Sequence, residues 1–407
     1  MRISTNMIFE MGSRQMSELQ AAMARTQQQV ASGRRILSPA DDPVAAATAL
    51  GVNQAISIND QFSINRQNVK SALSQEESVL QSVTSLLQSV KDAVVGAGNG
   101  SMNDQQRQTY LTQLRSNFDE LMGLANTRDP GGNYIFGGYQ TNSQPFTQSA
   151  SGATYNGDQG QRMLQVDTAR QLAGSDSGTD VFESGKTGNG RFVTAADAGN
   201  NGTGVVSLGS VSDLAQLNGH TYELTFAVDA VTGLTTYQVT ETPAPVPPPL
   251  PTDLPFVSGQ AITIGGMQFD IKGNPADQDT FTVKPSTEQS IFTTINNLID
   301  SLSVTGEGQP GQTRLTNALN TANTNIDKTI DNILTMRTTI GSRLKEVDNL
   351  EDSGMDMKLQ YQSTLKALQE IDPVEAYSQF TQQQYTLQAA QQSFIKITGL
   401  SLFNLLR

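Results

Sequence analysis

Four clusters in the sequence hold residue types that could do chemistry. The stretch ASGRRILSPADDPVAAATAL (Ala31–Leu50) sets Arg34 and Arg35 close to the adjacent carboxylates Asp41 and Asp42. Two carboxylates in unlike environments can divide the roles of acid and base. Lying between two apolar-patterned segments, however, they are better explained as helix caps. The single histidine, His220 in NGHTYEL, has no motif partner. A zinc signature of the H-E-x-x-H kind needs two, so His220 reads as a turn or strand-edge residue. GAGNG (Gly96–Gly100) has the glycines of a phosphate loop, but it follows a helical pattern and lacks the P-loop lysine, so it reads as a turn. DQDTFTV (Asp277–Val283) has acidic residues without EF-hand spacing and predicts no calcium site. With no cysteine in the chain, disulfides and thiolate metal sites are excluded. The expectation is a protein without catalytic, cofactor or metal chemistry.

Composition points the same way. The net charge of −13 repels phosphates and anionic lipid, which argues against nucleic acid and membrane surfaces as partners. No run of eighteen apolar residues could span a bilayer. The opening MRISTNMIFEMGSRQM lacks the apolar stretch of an ordinary secretory signal. At 36 % hydrophobic residues, the chain is poor in core material for 407 residues, and an extended or assembly-dependent fold is expected.

The elements that hold these clusters can be read from periodicity. Phe9, Gly12, Met16, Leu19, Met23, Thr26 and Val30 form one helical stripe, with Gly33 as a C-cap and Arg34 and Arg35 suited to a helix C-terminus. Two start signals follow. Ser38-Pro39-Ala40-Asp41 reads as a capping box, Asp42-Pro43 offers the same logic, and the sequence does not choose between them. A long heptad stripe then runs from Val52 to Val94, with Glu76 interrupting it. After GAGNG, Asn103 and Gln106 can cap a third helix with the stripe Leu111, Leu114, Phe118, Leu121 and Ala125.

The texture changes near Tyr134. HTYELTFAVDAVTGLTTYQVTE alternates around a turn as a β-hairpin does, and QAITIGGMQFDIKGNPADQDTFTVKP reads as two or three strands. The proline-rich Thr242–Pro255 cannot supply sheet donors and reads as an extended surface link, and Gly174–Gly209 as loops around short strands. After Pro285 helix returns, with the stripe Ile291, Ile295, Leu298 and Leu302. VTGEGQPGQ breaks it, and a second long heptad run extends from Leu315 to Leu350. A helix from Arg314 to Glu351 would be roughly 55 Å long, which favours a rod. Gly354 and Asp372-Pro373 read as punctuation before the last helix. The fold class is therefore α + β: a helical rod built from both chain ends, with an inserted all-β domain. The divisions are an N-terminal assembly helix and corner (1–42), a first half of the helical core (43–133), the β-rich insert (134–285), a second half of the core (286–371) and a C-terminal assembly helix (372–407).

The terminal helices carry the functional expectation. Each has a narrow apolar stripe on a surface rich in Gln, Ser and Thr, and isolated helices of this kind are marginal in water. Coupled folding and assembly follows, with Phe9, Met16, Leu19, Met23, Val30, Phe380, Leu387, Phe394, Ile397, Leu402 and Leu405 as the interface. Gly33, Arg34, Arg35, Ser38, Pro39, Asp41, Asp42 and Pro43 would make a structural corner.

Several segments, in order, resemble one family. MRISTNMIFE, QVASGRRILSPADDPVAAA, NYIFGGYQTNSQPF, YNGD, GNPADQDTFTV and the terminal SLFNLLR are similar to motifs of the flagellin-like hook-associated protein 3 family of bacterial flagella. The resemblance implies a structural subunit at the extracellular hook–filament junction, exported unfolded through the flagellar type III apparatus without a cleaved signal. It implies as partners a ring of like subunits, hook-associated protein 1, flagellin, and an export chaperone on the C-terminal helix. A flagellin-type filament subunit is the alternative. Asp42-Pro43-Val44 and the MRIST opening favour the junction protein, and the NLLR ending leans toward flagellin.

Overall fold

The computed structural model describes residues 5–100, 102–243, 252–304 and 308–405, with the side chains of 5, 6, 8, 104 and 397–405 outside the description. Helices α1 (Thr5–Ser32), α2 (Pro43–Ala97) and α3 (Asp104–Ala125) come first. Helices α4 (Ile291–Ser303), α5 (Gly308–Gln369) and α6 (Pro373–Leu405) come last, and every strand lies between the two sets. The chain forms two compact units, one of Met1–Ile64 with Asn349–Arg407 and one of Asn65–Asp348. Among the described residues, no helix is long and apolar enough to cross a membrane.

In the larger unit the heptad stripes become a helical core. Val69, Leu73, Leu80, Val83, Leu87 and Val90 of α2 are buried. So are Leu111, Leu114, Phe118 and Leu121 of α3, and Leu319, Ile326, Ile333, Ile340 and Val347 of α5. Each such side chain contributes roughly 1.5–3 kcal/mol. Ion pairs set the direction of α2 against α5: Lys70–Asp348 at 2.6 Å, Glu77–Arg337 at 2.6 Å and Lys91–Asp327 at 2.5 Å. Partner numbers fall on one helix as they rise on the other, so the two are antiparallel. The start of α3 is a full capping box, in which the Gln106 amide donates to the Asn103 side chain at 2.9 Å and the Asn103 amide to the Gln106 side chain at 3.0 Å.

The β-rich region begins with short ribbons, β1 (Phe146–Ser149) with β2 (Gly152–Tyr155) and β3 (Met163–Asp167) with β4 (Arg170–Ala173). The first ribbon carries Phe146 into an aromatic cluster in which Phe146, Phe182 and Phe292 pack with ring centroids 5.1–5.9 Å apart, and Phe136 meets Phe182 at 5.2 Å. Next come β5 (Gly185–Lys186), β6 (Phe192–Ala196), β7 (Val205–Val206), β8 (Ser210–Val211), β9 (Thr221–Val228), β10 (Thr235–Thr242), β11 (Leu254–Pro255), β12 (Ala261–Ile264), β13 (Met267–Lys272), β14 (Thr280–Pro285) and β15 (Glu288–Gln289). One sheet has the order β11-β10-β9-β14-β6, and another β12-β13-β7 with β8 also on β13. Alternation places Tyr222, Leu224 and Phe226 of β9, Met267, Phe269 and Ile271 of β13, and Phe281 and Val283 of β14 in one shared core. The two hairpin readings are thus realised, the second with three strands.

Three sequence expectations need correction. The last heptad helix is not punctuated at Gly354: α5 runs through it to Gln369, and the Asn59 side chain donates to the Gly354 carbonyl at 2.8 Å. The break before α5 is shorter than VTGEGQPGQ. Helix resumes at Gly308, and Pro310 falls in the first turn, where a missing N–H is harmless; residues 305–307 lie outside the described residues. The proline-rich link is not wholly outside the sheet. Leu254 and Pro255 pair with Tyr237 and Thr236, because β11 is an edge strand and needs donors on one side only; residues 244–251 lie outside the described residues. Gly174–Gly209 is, as read, loops around the short strands β5, β6 and β7, and part of it is core: Ser175, Asp176, Ser177, Val181 and Phe182 are buried, the last two on a π-helical turn (Thr179–Glu183).

Candidate assembly interface

The corner is built on local hydrogen bonds. Gly33 takes φ +70°, where a side chain would be strained, and ends α1. Its carbonyl accepts from the Ile371 amide at 3.1 Å, and the Arg35 amide donates to the Gln369 carbonyl at 2.7 Å. Arg34 forms a single antiparallel bridge with Glu370. The exit from α1 and the exit from α5 are thereby stitched together. Of the two start signals, Asp42-Pro43 is the one used: Asp42 accepts from the Ala45 amide at 3.0 Å, and α2 begins at Pro43.

Asp41 serves the turn before α2. It accepts from the amides of Leu37 and Ser38, both at 2.9 Å, and pairs with Arg25, while Pro39 is exposed in the same turn. Backbone donors from Ser38 and Leu37, with Arg25 beside them, hold the Asp41 carboxyl below its usual range. Arg35 reaches Asp42 at 3.5 Å and the Leu368 carbonyl at 3.0 Å. These carboxylates cap and brace, accepting from backbone amides, guanidinium groups and, at Asp41, the Ser38 hydroxyl at 3.2 Å.

Helices α1 and α6 pack along their stripes. On α1, Gly12, Met16, Leu19, Met23 and Val30 are half-buried and Thr26 is buried. On α6, Phe380, Ala390 and Phe394 are half-buried, and Ala376 and Leu387 are buried. The Phe9 and Phe394 rings sit 5.2 Å apart, and Gly12 is small because a Cβ there would lie 2.6 Å from the Phe394 ring. Asp372 caps α6, accepting from the Val374 amide at 2.9 Å. Two polar residues of the seam differ: the Thr26 hydroxyl donates to the Ala22 carbonyl at 3.1 Å, whereas the buried Oε1 of Gln383 accepts no hydrogen bond among the described residues. An unsatisfied acceptor of this kind weakens the pair.

The stripe residues therefore meet one another inside the chain. Ile397, Leu402 and Leu405 have side chains outside the described residues. The opposite face of α6 holds a second apolar line: Val374 is 80 % exposed, Tyr377 61 % and Tyr385 70 %. Spacings of three and eight put all three within a narrow arc. Tyr377, Ser378, Thr381, Gln382, Tyr385 and Thr386 line a shallow groove there. On α1, Met11 is also exposed.

Residues 3–141 match the family model described as the bacterial flagellin N-terminal helical region. Flagellar hook-associated protein 3 of Salmonella typhimurium is 27 % identical over 408 residues, covering all of both chains. A flagellin from Listeria monocytogenes aligns at 28 % identity over only 46 % of this chain and 63 % of its own length. The crystal structure of the flagellar junction protein FlgL from Legionella pneumophila superimposes with a TM-score of 0.70 at 30 % identity, covering 79 % of this chain and 100 % of that one. The chain belongs to the flagellar hook-associated protein 3 family. It is a structural flagellar component, and the full-length correspondence favours this reading over the flagellin alternative.

Within that family frame, the clusters that suggested chemistry have structural partners. His220 is half-buried, its Nδ1 lies 2.6 Å from Glu241 Oε1, and Tyr222 and Asn218 donate to the same oxygen, each at 3.0 Å. Those donors, His220 first, hold the Glu241 carboxyl below its usual range. GAGNG is the end of α2 (Gly96, Ala97) and the turn that follows it. Asp279 of DQDTFTV accepts from the amides of Asn201, Gly202 and Ala276 at 2.8–2.9 Å and so fixes two loops. Sequence reasoning missed the outer line on α6, although the spacing of Val374, Tyr377 and Tyr385 carries a helical signal.

Proposed function

We propose that this chain is the subunit that joins the flagellar hook to the flagellin filament. It forms a ring with like subunits, seats on hook-associated protein 1 and presents the surface on which flagellin stacks, outside the cell. The terminal pair α1/α6 is the assembly element. Its inner stripes hold the pair together, and the outer line of α6 meets a neighbouring subunit. The observation that carries this reading is the exposed apolar line of Val374, Tyr377 and Tyr385 on a helix whose inner face is already occupied. A seam made mostly of half-buried side chains is easily unfolded, which suits passage through a narrow export channel. An export chaperone that covers the apolar C-terminal helix before export fits the same chemistry.

Removing the gene tests the function. The expected result is intact hooks with flagellin lost into the medium, and filaments restored by the wild-type gene. Filaments that persist in the deletion strain would overturn the junction reading.

A further inference from the structure

The larger unit contains a buried acid whose environment is unusual. Glu76 interrupts the apolar stripe of α2 and is fully buried. Its Oε1 accepts from the Asp176 amide at 3.2 Å, while its Oε2 has no hydrogen-bond partner among the described residues. Asp176 is itself fully buried, so two carboxyl groups share one enclosed site. The cations there do not balance them evenly. Arg343 of α5 binds both oxygens of Asp176, each at 3.0 Å, and the Gln161 side chain donates to Asp176 at 3.0 Å. The Arg162 guanidinium is directed to Ser175, 3.4 Å away, and Asp180 adds a further negative charge near Asp176. Among the described residues, no guanidinium reaches Glu76 within hydrogen-bond distance. A buried carboxylate without a counter-ion is costly, whereas a neutral carboxyl is not.

We propose that Glu76 is a proton-operated latch: protonated while closed, it holds the segment Ser175–Gly178 on α2, and the segment lifts more easily as rising pH draws that proton off. The segment matters because it covers the aromatic cluster. The Gly178 amide donates to the Phe136 carbonyl at 3.0 Å, and Gly178 lies so close to the rings of Phe146 and Tyr155 that a Cβ would come within 2.7 Å of both. Opening it would expose Phe136, Phe146 and Phe182 to water. Burial, with Asp176 adding to it, pushes the Glu76 carboxyl up to about 8. A group raised in the folded state stabilises fully below its unfolded value, and the stabilisation is lost as pH rises toward the folded value. Opening therefore becomes easier as pH rises from about 4.5 to about 8 and changes no further above that.

The test is amide hydrogen exchange of Ser175–Gly178 in the full chain between pH 6.5 and 9.5, corrected for the intrinsic rate, in wild type and Glu76→Gln. Wild type should lose at least tenfold in protection between pH 6.5 and about 8 and level off above it, and Glu76→Gln should stay level because it cannot ionise. Level protection in wild type, or an equal decline in both proteins, would overturn the latch. Infrared spectroscopy of the wild type alone gives a second measure, independent of whether the variant folds. A protonated-carboxyl carbonyl band should be present at pH 7 and vanish above pH 8, and its absence at pH 7 would overturn the proposal.

Discussion

Replacing Leu387 with Ala probes the seam of the terminal pair directly. Leu387 is 8 % exposed and, among the described seam residues, is the one large side chain that is fully buried. Leu→Ala at a buried site costs about 2–5 kcal/mol, and a two-helix seam that can partly close over the gap falls at the low end, about 2–3 kcal/mol. Local opening of the pair should become easier by that amount. At about 1.4 kcal/mol per factor of ten, exchange of α1 and α6 amides should accelerate roughly 30- to 150-fold. Amides of β9 around Leu224 and Phe226, held in the separate core of the larger unit, should be unaffected. Residue-resolved hydrogen exchange on the dilute monomer reads both sets at once. Unchanged exchange in α1 and α6 would refute the claim that the inner stripes hold the pair together. Equal acceleration in α1, α6 and β9 would refute the claim that the pair opens independently.

Two further substitutions test other parts of the account. Gln383→Leu removes the unsatisfied acceptor from the seam and should stabilise the pair by about 1 kcal/mol, slowing exchange in the same helices. Phe182→Ala hollows the aromatic cluster and should cost about 3–5 kcal/mol, read as a lower melting temperature of the larger unit with α1/α6 exchange unchanged.

The helices and main hairpins were legible because their burial is periodic. The stripe on α1 can be read from Phe9 to Val30 by spacing alone, and the alternation of Tyr222, Leu224 and Phe226 marks β9 equally well. What escaped depended on residues distant in the chain. Glu76 was visible as an interruption, but its meaning came from Asp176, a hundred residues on, and Arg343, far beyond that. Leu254 and Pro255 became a strand only because the edge of β10 stood beside them. Gly354 reads as a breaker locally, yet the surrounding helix overrides its propensity.

The terminal stripes show how a correct pattern leaves its partner open. Phe380, Leu387 and Phe394 are apolar on one face whether the face meets another subunit or α1 of the same chain. The structure pairs them with α1. The surface proposed for neighbours includes Val374, Tyr377 and Tyr385, whose spacing was in the sequence but whose exposure required knowing that the inner face was occupied.

The central claim is that this outer face joins the subunit to its neighbours. Complementing the deletion strain with a Tyr377→Asp, Tyr385→Asp double variant tests it most directly. Both side chains are exposed, so the monomer should melt as wild type does. The account predicts a folded, exported protein that fails to seat, with flagellin still lost into the medium. Filaments of normal number and length on hooks carrying the double variant would contradict it.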